Sequence, residues 1–286
     1  MAPFSCTVHP YKSPTTHSAA YEIGPSGVSN ATLFIGGLGD GPHTVRYTLS
    51  ISEHLKETAQ DWSIFELRMR SSFTGYGYSS LKNDVEDISA LVRYLRSIGK
   101  KKIVLMGHST GCQDCMEYTK HEEDPVDGFI LQGTVSDRES IVDFVSPDEL
   151  KKGLGLAEMM ISEGKGDEVL PTDHVPPVFS SPMTAYRWHS LAAKGGDDDY
   201  FSSDLAESFV ASVWGRFKQP VMALHSAEDE FVPATIDKQG LLDAWKKSSS
   251  QVHALSGLIP GASHTVKSPE SQAWLADRVV QFVQQL

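Results

Sequence analysis

Apolar and polar positions alternate along the chain on two length scales. Short, continuous apolar runs occur at Ala31–Ile35, Ser63–Leu67, Lys102–Met106, Gly128–Leu131, Val221–His225 and Val252–Leu258. Continuous apolarity, rather than every second residue, is what parallel strands covered on both faces require. Between the runs lie longer segments with helical spacing, near residues 43–58, 80–98, 110–121, 234–247 and 269–284. In Ser80–Ile98, the residues Leu81, Val85, Ile88, Leu91, Val92 and Leu95 recur on one helical face. Asp84 and Glu86 sit early and Arg93 and Arg96 late, which complements a helix dipole. Strand–helix alternation predicts an α/β protein with a doubly wound, mostly parallel sheet and right-handed crossovers.

The alternation is interrupted once, between Leu131 and Val221. That stretch holds two helix-like pieces, near 147–163 and 203–217, and a proline-rich segment, Pro171–Pro182. A structureless loop of such length is improbable in a compact domain. The reading is an inserted helical lid over residues 136–218, with 1–135 and 219–286 forming the core. Residues 136–218 carry 15 acidic and 8 basic side chains, a net of −7 within a chain of −12. The Asp197–Asp199 and Ser248–Ser250 tracts read as solvated loops, and there is no internal repeat.

Composition narrows the class. With 40% hydrophobic and 22% charged residues, a buried core is expected and wholesale disorder is not. The negative charge disfavours nucleic-acid and anionic-membrane partners. The three cysteines, Cys6, Cys112 and Cys115, are too few and odd in number for a disulfide framework. Cys112 and Cys115 form a C-x-x-C without the second pair a zinc site needs, and read as small apolar residues on a packed helix. No basic-then-apolar leader, no stretch near ~20 apolar residues and no lipidation signal at Val283–Leu286 is seen. A soluble, cytoplasmic protein is the expectation.

Chemistry enters at Lys101–Gly111, which contains Gly107-His-Ser109-Thr-Gly111. A G-x-S-x-G pentapeptide alone is weak, and a structural serine in a tight turn is the bland alternative. Here the motif directly follows an apolar run and directly precedes a helical segment, the context of a nucleophile elbow in an α/β-hydrolase fold. A Cβ at position 107 or 111 would crowd neighbouring backbone in that turn. A serine hydroxyl needs a base. Among eleven histidines, His264 alone lies after the last apolar run and before the final helix, the place this fold gives its histidine. His108 lies inside the elbow, with its side chain expected to point away from that of Ser109. His225 and His253 fall in predicted strands. The acid expected after the penultimate run is Asp229, with Glu228 and Glu230 as neighbours; Asp137, after the preceding run, is the competitor, because some members of the fold place the acid there.

An oxyanion needs backbone N–H donors. Thr110 is the expected first donor, and Gly37 or Leu38 the second, from the glycine-rich loop Gly36–Gly41. That loop lacks the G-x-x-x-x-G-K-[ST] and G-x-G-x-x-G spacings of phosphate binders. Tyr76 and Tyr78, in the loop after the second run, either line the substrate pocket or pack on the lid.

Four segments together carry a resemblance: Phe34–Gly41, Gly107–Asp114, Ser180–Trp188 and Asp229–Pro233. They resemble a mainly fungal subfamily of α/β-hydrolases that includes an intracellular esterase of fusarinine-type hydroxamate siderophores. The resemblance implies a small-molecule ester substrate, with any iron arriving inside the substrate and no metal or cofactor held by the protein. Fusarinines carry cationic amino groups, which an acidic lid would concentrate. A general carboxylesterase, thioesterase or lactonase remains the alternative within enzymes. A catalytically silent binding protein is the alternative outside them.

Overall fold

The computed structural model describes residues 3–286. Its centre is an eight-stranded sheet. The strands are β1 (Thr7–Pro10), β2 (Ala19–Ile23), β3 (Asn30–Ile35), β4 (Trp62–Leu67), β5 (Lys102–His108), β6 (Gly128–Gln132), β7 (Val221–Ser226) and β8 (Gly257–Ile259). Their order across the sheet is β1-β2-β4-β3-β5-β6-β7-β8. The first two strands pair antiparallel and the rest parallel.

The continuous apolar runs mark the inner strands because every residue of β3, β4, β6 and β7 is buried. The antiparallel edge was not signalled, and for a physical reason: β1 is almost wholly exposed and carries no apolar run. The last strand is also shorter than the run predicted. Only Gly257–Ile259 joins the sheet, Val252 makes an isolated bridge to Val221, and His253 lies in a turn rather than a strand.

Helices cover both faces of the sheet. On one lie α2 (Leu81–Ser97), α3 (Thr110–Tyr118) and α8 (Lys238–Ser248), which bury Ile88, Leu91, Met116 and Trp245 against Leu33, Phe65 and Leu105. Cys112 and Cys115 are buried in this core. On the other lie α1 (Tyr47–Thr58) and α9 (Pro269–Val283), which bury Ile51, Leu55, Val279 and Phe282 against Ile64, Val104 and Met222. The helix read at 80–98 begins as its sequence indicates, with Ser80 capping the Asn83 N–H at 3.2 Å.

Between β6 and β7 the chain forms α4 (Asp137–Ile141), α5 (Pro147–Ser162), α6 (Ala185–Ala192) and α7 (Glu207–Trp214). A capping box of Ser146 and Glu149, followed by Pro147, starts α5. The helices α5 and α6 share a core of their own around Trp188, Met183, Ala157 and Leu191, which also takes in Tyr76. Helix α7 instead packs against α8 within the core on that face of the sheet, where Trp214 stacks on Trp245 at 4.7 Å between ring centroids. The Asp197–Asp199 tract is not a solvated loop. Only Asp197 is exposed. Asp198 is buried in an ion pair with Arg187 at 2.6 Å, and Asp199 is buried against Arg138, the Gly195 N–H and Ser202. A charge run reads as solvated only until a guanidinium from elsewhere in the chain reaches it.

Candidate active site

Ser109 sits on the turn between β5 and α3, in the middle of the sheet. Its φ of 53° and ψ of −124° place a non-glycine residue in a region that costs about 1–3 kcal/mol. Both flanking glycines are sterically required. A Cβ on Gly107 would lie 2.3 Å from the Gly111 carbonyl oxygen, and one on Gly111 would lie 2.3 Å from the Ile35 carbonyl oxygen. The Ser109 N–H donates to the Gln132 carbonyl at 3.0 Å, which ties the turn to the next strand.

His264 lies on the loop after β8, and Asp229 on the loop after β7. The His264 Nδ1 is 2.8 Å and 3.0 Å from the two Asp229 carboxylate oxygens. Burial alone would raise the Asp229 carboxyl, but the hydrogen bond and charge of His264, with the Phe231 N–H, outweigh it and hold it below the usual carboxylate range. An ionised Asp229 fixes the proton on Nδ1 and leaves Nε2 as the lone pair. Glu230 serves a different atom: its carboxylate accepts the His264 backbone N–H at 2.7 Å. Gly133, at φ 68°, lets the ring lie close, since a Cβ there would come within 3.2 Å of the His264 Cε1. Phe231 packs edge-on to the ring at 4.9 Å between centroids.

His108 turns its Nδ1 to the Gln132 side-chain oxygen at 2.6 Å, yet its ring still lies 4.9 Å from that of His264. Burial, with the charge of His264, pulls it down to about 4, so it is neutral near pH 7. His225 is a core residue, stacked on Trp245 at 5.2 Å.

The glycine-rich loop lies against the serine. A Cβ on Gly37 would meet the Ser109 Cβ at 2.7 Å. The two candidate donors of this loop differ. The Gly37 N–H is already bound to the Asp40 carboxylate at 2.8 Å, whereas the Leu38 N–H has no protein acceptor among the described residues. Thr110 is the first residue of α3, so its N–H has no intrahelical acceptor.

Ser109, His264, Leu38 and Tyr76 line one cavity of about 360 Å³. Its walls are mainly apolar: Val135, Ile141, Phe144, Val178, Phe179 and Phe231. Tyr76 is buried, with its hydroxyl accepting the Ser181 N–H at 3.2 Å. Tyr78 departs from the reading that grouped it with Tyr76. It is 58% exposed and is not part of the cavity wall, because the 3₁₀ turn at Phe73–Gly77 carries it outward. Asp137 is in the wall but does not touch His264; its carboxylate accepts the Gln113 side-chain N–H at 2.7 Å. The wall residues Ile141, Phe144 and Phe179 come from the segment between β6 and β7, and no sequence signal separated them from ordinary core residues. Among the described residues, no group of three or more His, Cys, Asp or Glu is placed to hold a metal ion. Nor, among these residues, is any helix long and apolar enough to cross a membrane.

A family model described as a protein of unknown function (DUF1749) matches residues 1–284. A UPF0613 protein of Schizosaccharomyces pombe is 36% identical over 297 residues, covering 93% of each chain. The fusarinine C esterase of Aspergillus fumigatus is 29% identical over 318 residues, covering 90% of this chain and 89% of that protein. Among solved structures, the siderophore hydrolase EstB of Aspergillus fumigatus superposes with a TM-score of 0.83 at 27% identity, covering 99% of this chain and 98% of the other. The sheet order and the flanking helices are those of an α/β-hydrolase fold.

Proposed function

Since the chain belongs to the DUF1749 family, whose description leaves its activity open, we propose the activity from the site itself: hydrolysis of a small-molecule ester by Ser109, His264 and Asp229. The kinship with a fusarinine C esterase and a siderophore hydrolase supports ester hydrolysis on this fold. The observation that carries the reading is the His264–Asp229 pair at 2.8 Å in the same cavity as a strained, solvent-reachable serine.

Ser109 Oγ attacks the ester carbonyl and passes its proton to His264 Nε2. The negative oxygen of the tetrahedral intermediate is held by the N–H groups of Leu38 and Thr110, the free donors on either side of the serine. Asp229 stabilises the imidazolium that forms. The intermediate collapses, the C–O bond to the alcohol breaks, and His264 returns the proton to the leaving oxygen. Water, deprotonated by the same nitrogen, then releases the acid and restores Ser109. The segment over residues 136–218 acts as a lid, because it supplies Ile141, Phe144, Val178 and Phe179 to the cavity wall.

For substrate we propose a fusarinine-type siderophore, on the strength of the relatives' names. The apolar wall favours a second reading, a carboxylesterase for hydrophobic acyl chains. Mass-spectrometric turnover of fusarinine C and of its triacetylated, iron-bound form separates them. The expected result is hydrolysis by the wild type that is lost in Ser109→Ala. No siderophore hydrolysis, with nitrophenyl ester turnover retained, removes the siderophore and keeps the serine esterase.

A further inference from the structure

The cavity wall holds two carboxyls besides the histidines, Asp40 and Asp137, and no lysine or arginine. Asp40 is spent: one oxygen accepts the Gly37 N–H at 2.8 Å and the other the Thr44 hydroxyl at 2.8 Å. Asp137 is not. One oxygen accepts the Gln113 side-chain N–H at 2.7 Å, and no other side chain donates to the carboxylate among the described residues. The residue stands at the start of α4, on a wall built mainly of aliphatic and aromatic side chains.

The surroundings of Asp137 are short of positive charge. The cation whose charge reaches it is Arg187, on α6, and its hydrogen bonds go elsewhere: Nη1 to Asp198 at 2.6 Å and Nε to the Tyr76 carbonyl at 3.0 Å. Asp84 and Asp114 are also buried within electrostatic reach of that one guanidinium. The second oxygen of Asp198 is buried with no hydrogen-bond partner among the described residues. A monocation entering the pocket would meet the Asp137 carboxyl on a wall that holds no lysine or arginine to compete with it, with apolar neighbours to raise the strength of the contact.

We propose that Asp137 is the specificity-determining residue of this pocket, binding a protonated amine carried by the ester substrate. This rests on the reading of the cavity as the esterase site. It also changes the role of Asp137, which the fold makes available as a triad acid but which here lies away from His264 and faces the substrate.

The pH behaviour follows from the groups that face it: Asp198 and Arg187 from the segment over α6, and His264 from the loop after β8. Burial, with the charge of Asp198, lifts the Asp137 carboxyl to about 7 against the opposing pull of Arg187 and His264. A bound ammonium stabilises the ionised form. Preference for a cationic substrate therefore grows as pH rises through about 7, while the ammonium itself stays charged.

The test uses two esters matched in length, ethyl 6-aminohexanoate and ethyl heptanoate, which differ by an ammonium in place of a methyl group. The readout is the ratio of their kcat/KM values, in which His264 titration and general losses cancel. Asp137→Asn should lower the ratio by about tenfold or more, as expected for loss of a charge-assisted hydrogen bond, with the change in KM rather than kcat. The wild-type ratio should rise between pH 5.5 and 8, and the variant's should stay flat. An unchanged ratio in Asp137→Asn overturns the proposal. Should that variant fail to fold, a wild-type ratio independent of pH overturns it equally. Calorimetric binding of both esters to Ser109→Ala gives the same discrimination without turnover, so a failure of the esterase reading is seen separately from a failure of the Asp137 assignment.

Discussion

The two ring nitrogens of His264 have different roles in the proposed triad: Nδ1 faces Asp229, and Nε2 would take the proton of the serine. The division depends on Asp229 being ionised, and its carboxyl is held below the ordinary range by that same histidine. Asp229→Asn keeps the shape but offers an amide donor to Nδ1, which favours the wrong tautomer. The expected result is a fall in kcat of about 10⁴, with little change in KM. Steady-state kinetics on a nitrophenyl ester reads this directly. A loss under about tenfold, together with a collapse of kcat in Asp137→Asn, would exchange the roles of the two acids. The proposed oxyanion donors belong to this scale too. The sequence admitted Gly37 or Leu38; the Asp40 carboxylate takes the Gly37 N–H, which favours Leu38 in the proposal.

At the scale of the element, the unit that matters is β5, the turn and α3. The strand is buried from Ile103 onward and α3 buries nearly every residue, so the turn between them has no room to relax. A Cβ on Gly107 would meet the Gly111 backbone across it, and one on Gly111 would meet the end of β3 through the Ile35 carbonyl. Gly111→Ala therefore forces a backbone shift in a packed core, at about 3 kcal/mol or more. Urea unfolding should show the midpoint lowered at an unchanged slope. A variant as stable as the wild type would mean that the turn relaxes more freely than this packing allows.

For the whole molecule, the distribution of charge is the relevant property. Asp198 and Asp199 are neutralised internally, so they add nothing to the field felt by a distant substrate. The exposed acids of the segment between β6 and β7 do, among them Asp148, Glu158, Glu163, Asp167, Glu168 and Asp173. If they concentrate a cationic ester near the cavity, KM for fusarinine C should rise as ionic strength goes from about 0.01 M to about 1 M, where the screening length falls from roughly 30 Å to 3 Å. The acetylated form, which lacks the free amines, should respond far less. Equal responses would remove long-range attraction and leave only contacts inside the pocket.

Periodicity and spacing were enough to determine the inner strands, the flanking helices and the interruption after β6, and to single out Ser109, Asp229 and His264 as candidates. Each of these is a local property, written in which side chains are apolar and where glycine is tolerated. What depended on contacts between distant segments was decided only by the tertiary structure. The exposed edge strand β1 has no apolar run to announce it. The Asp197–Asp199 tract looked solvated because Arg187 and Arg138, which bury two of its carboxylates, lie elsewhere in the sequence. Tyr76 and Tyr78 are two residues apart, and only the turn that separates them sends one into the cavity and the other to solvent. Asp137 shows the same limit: its position after β6 was legible, but which partner each of its oxygens has depends on side chains that the fold alone brings together.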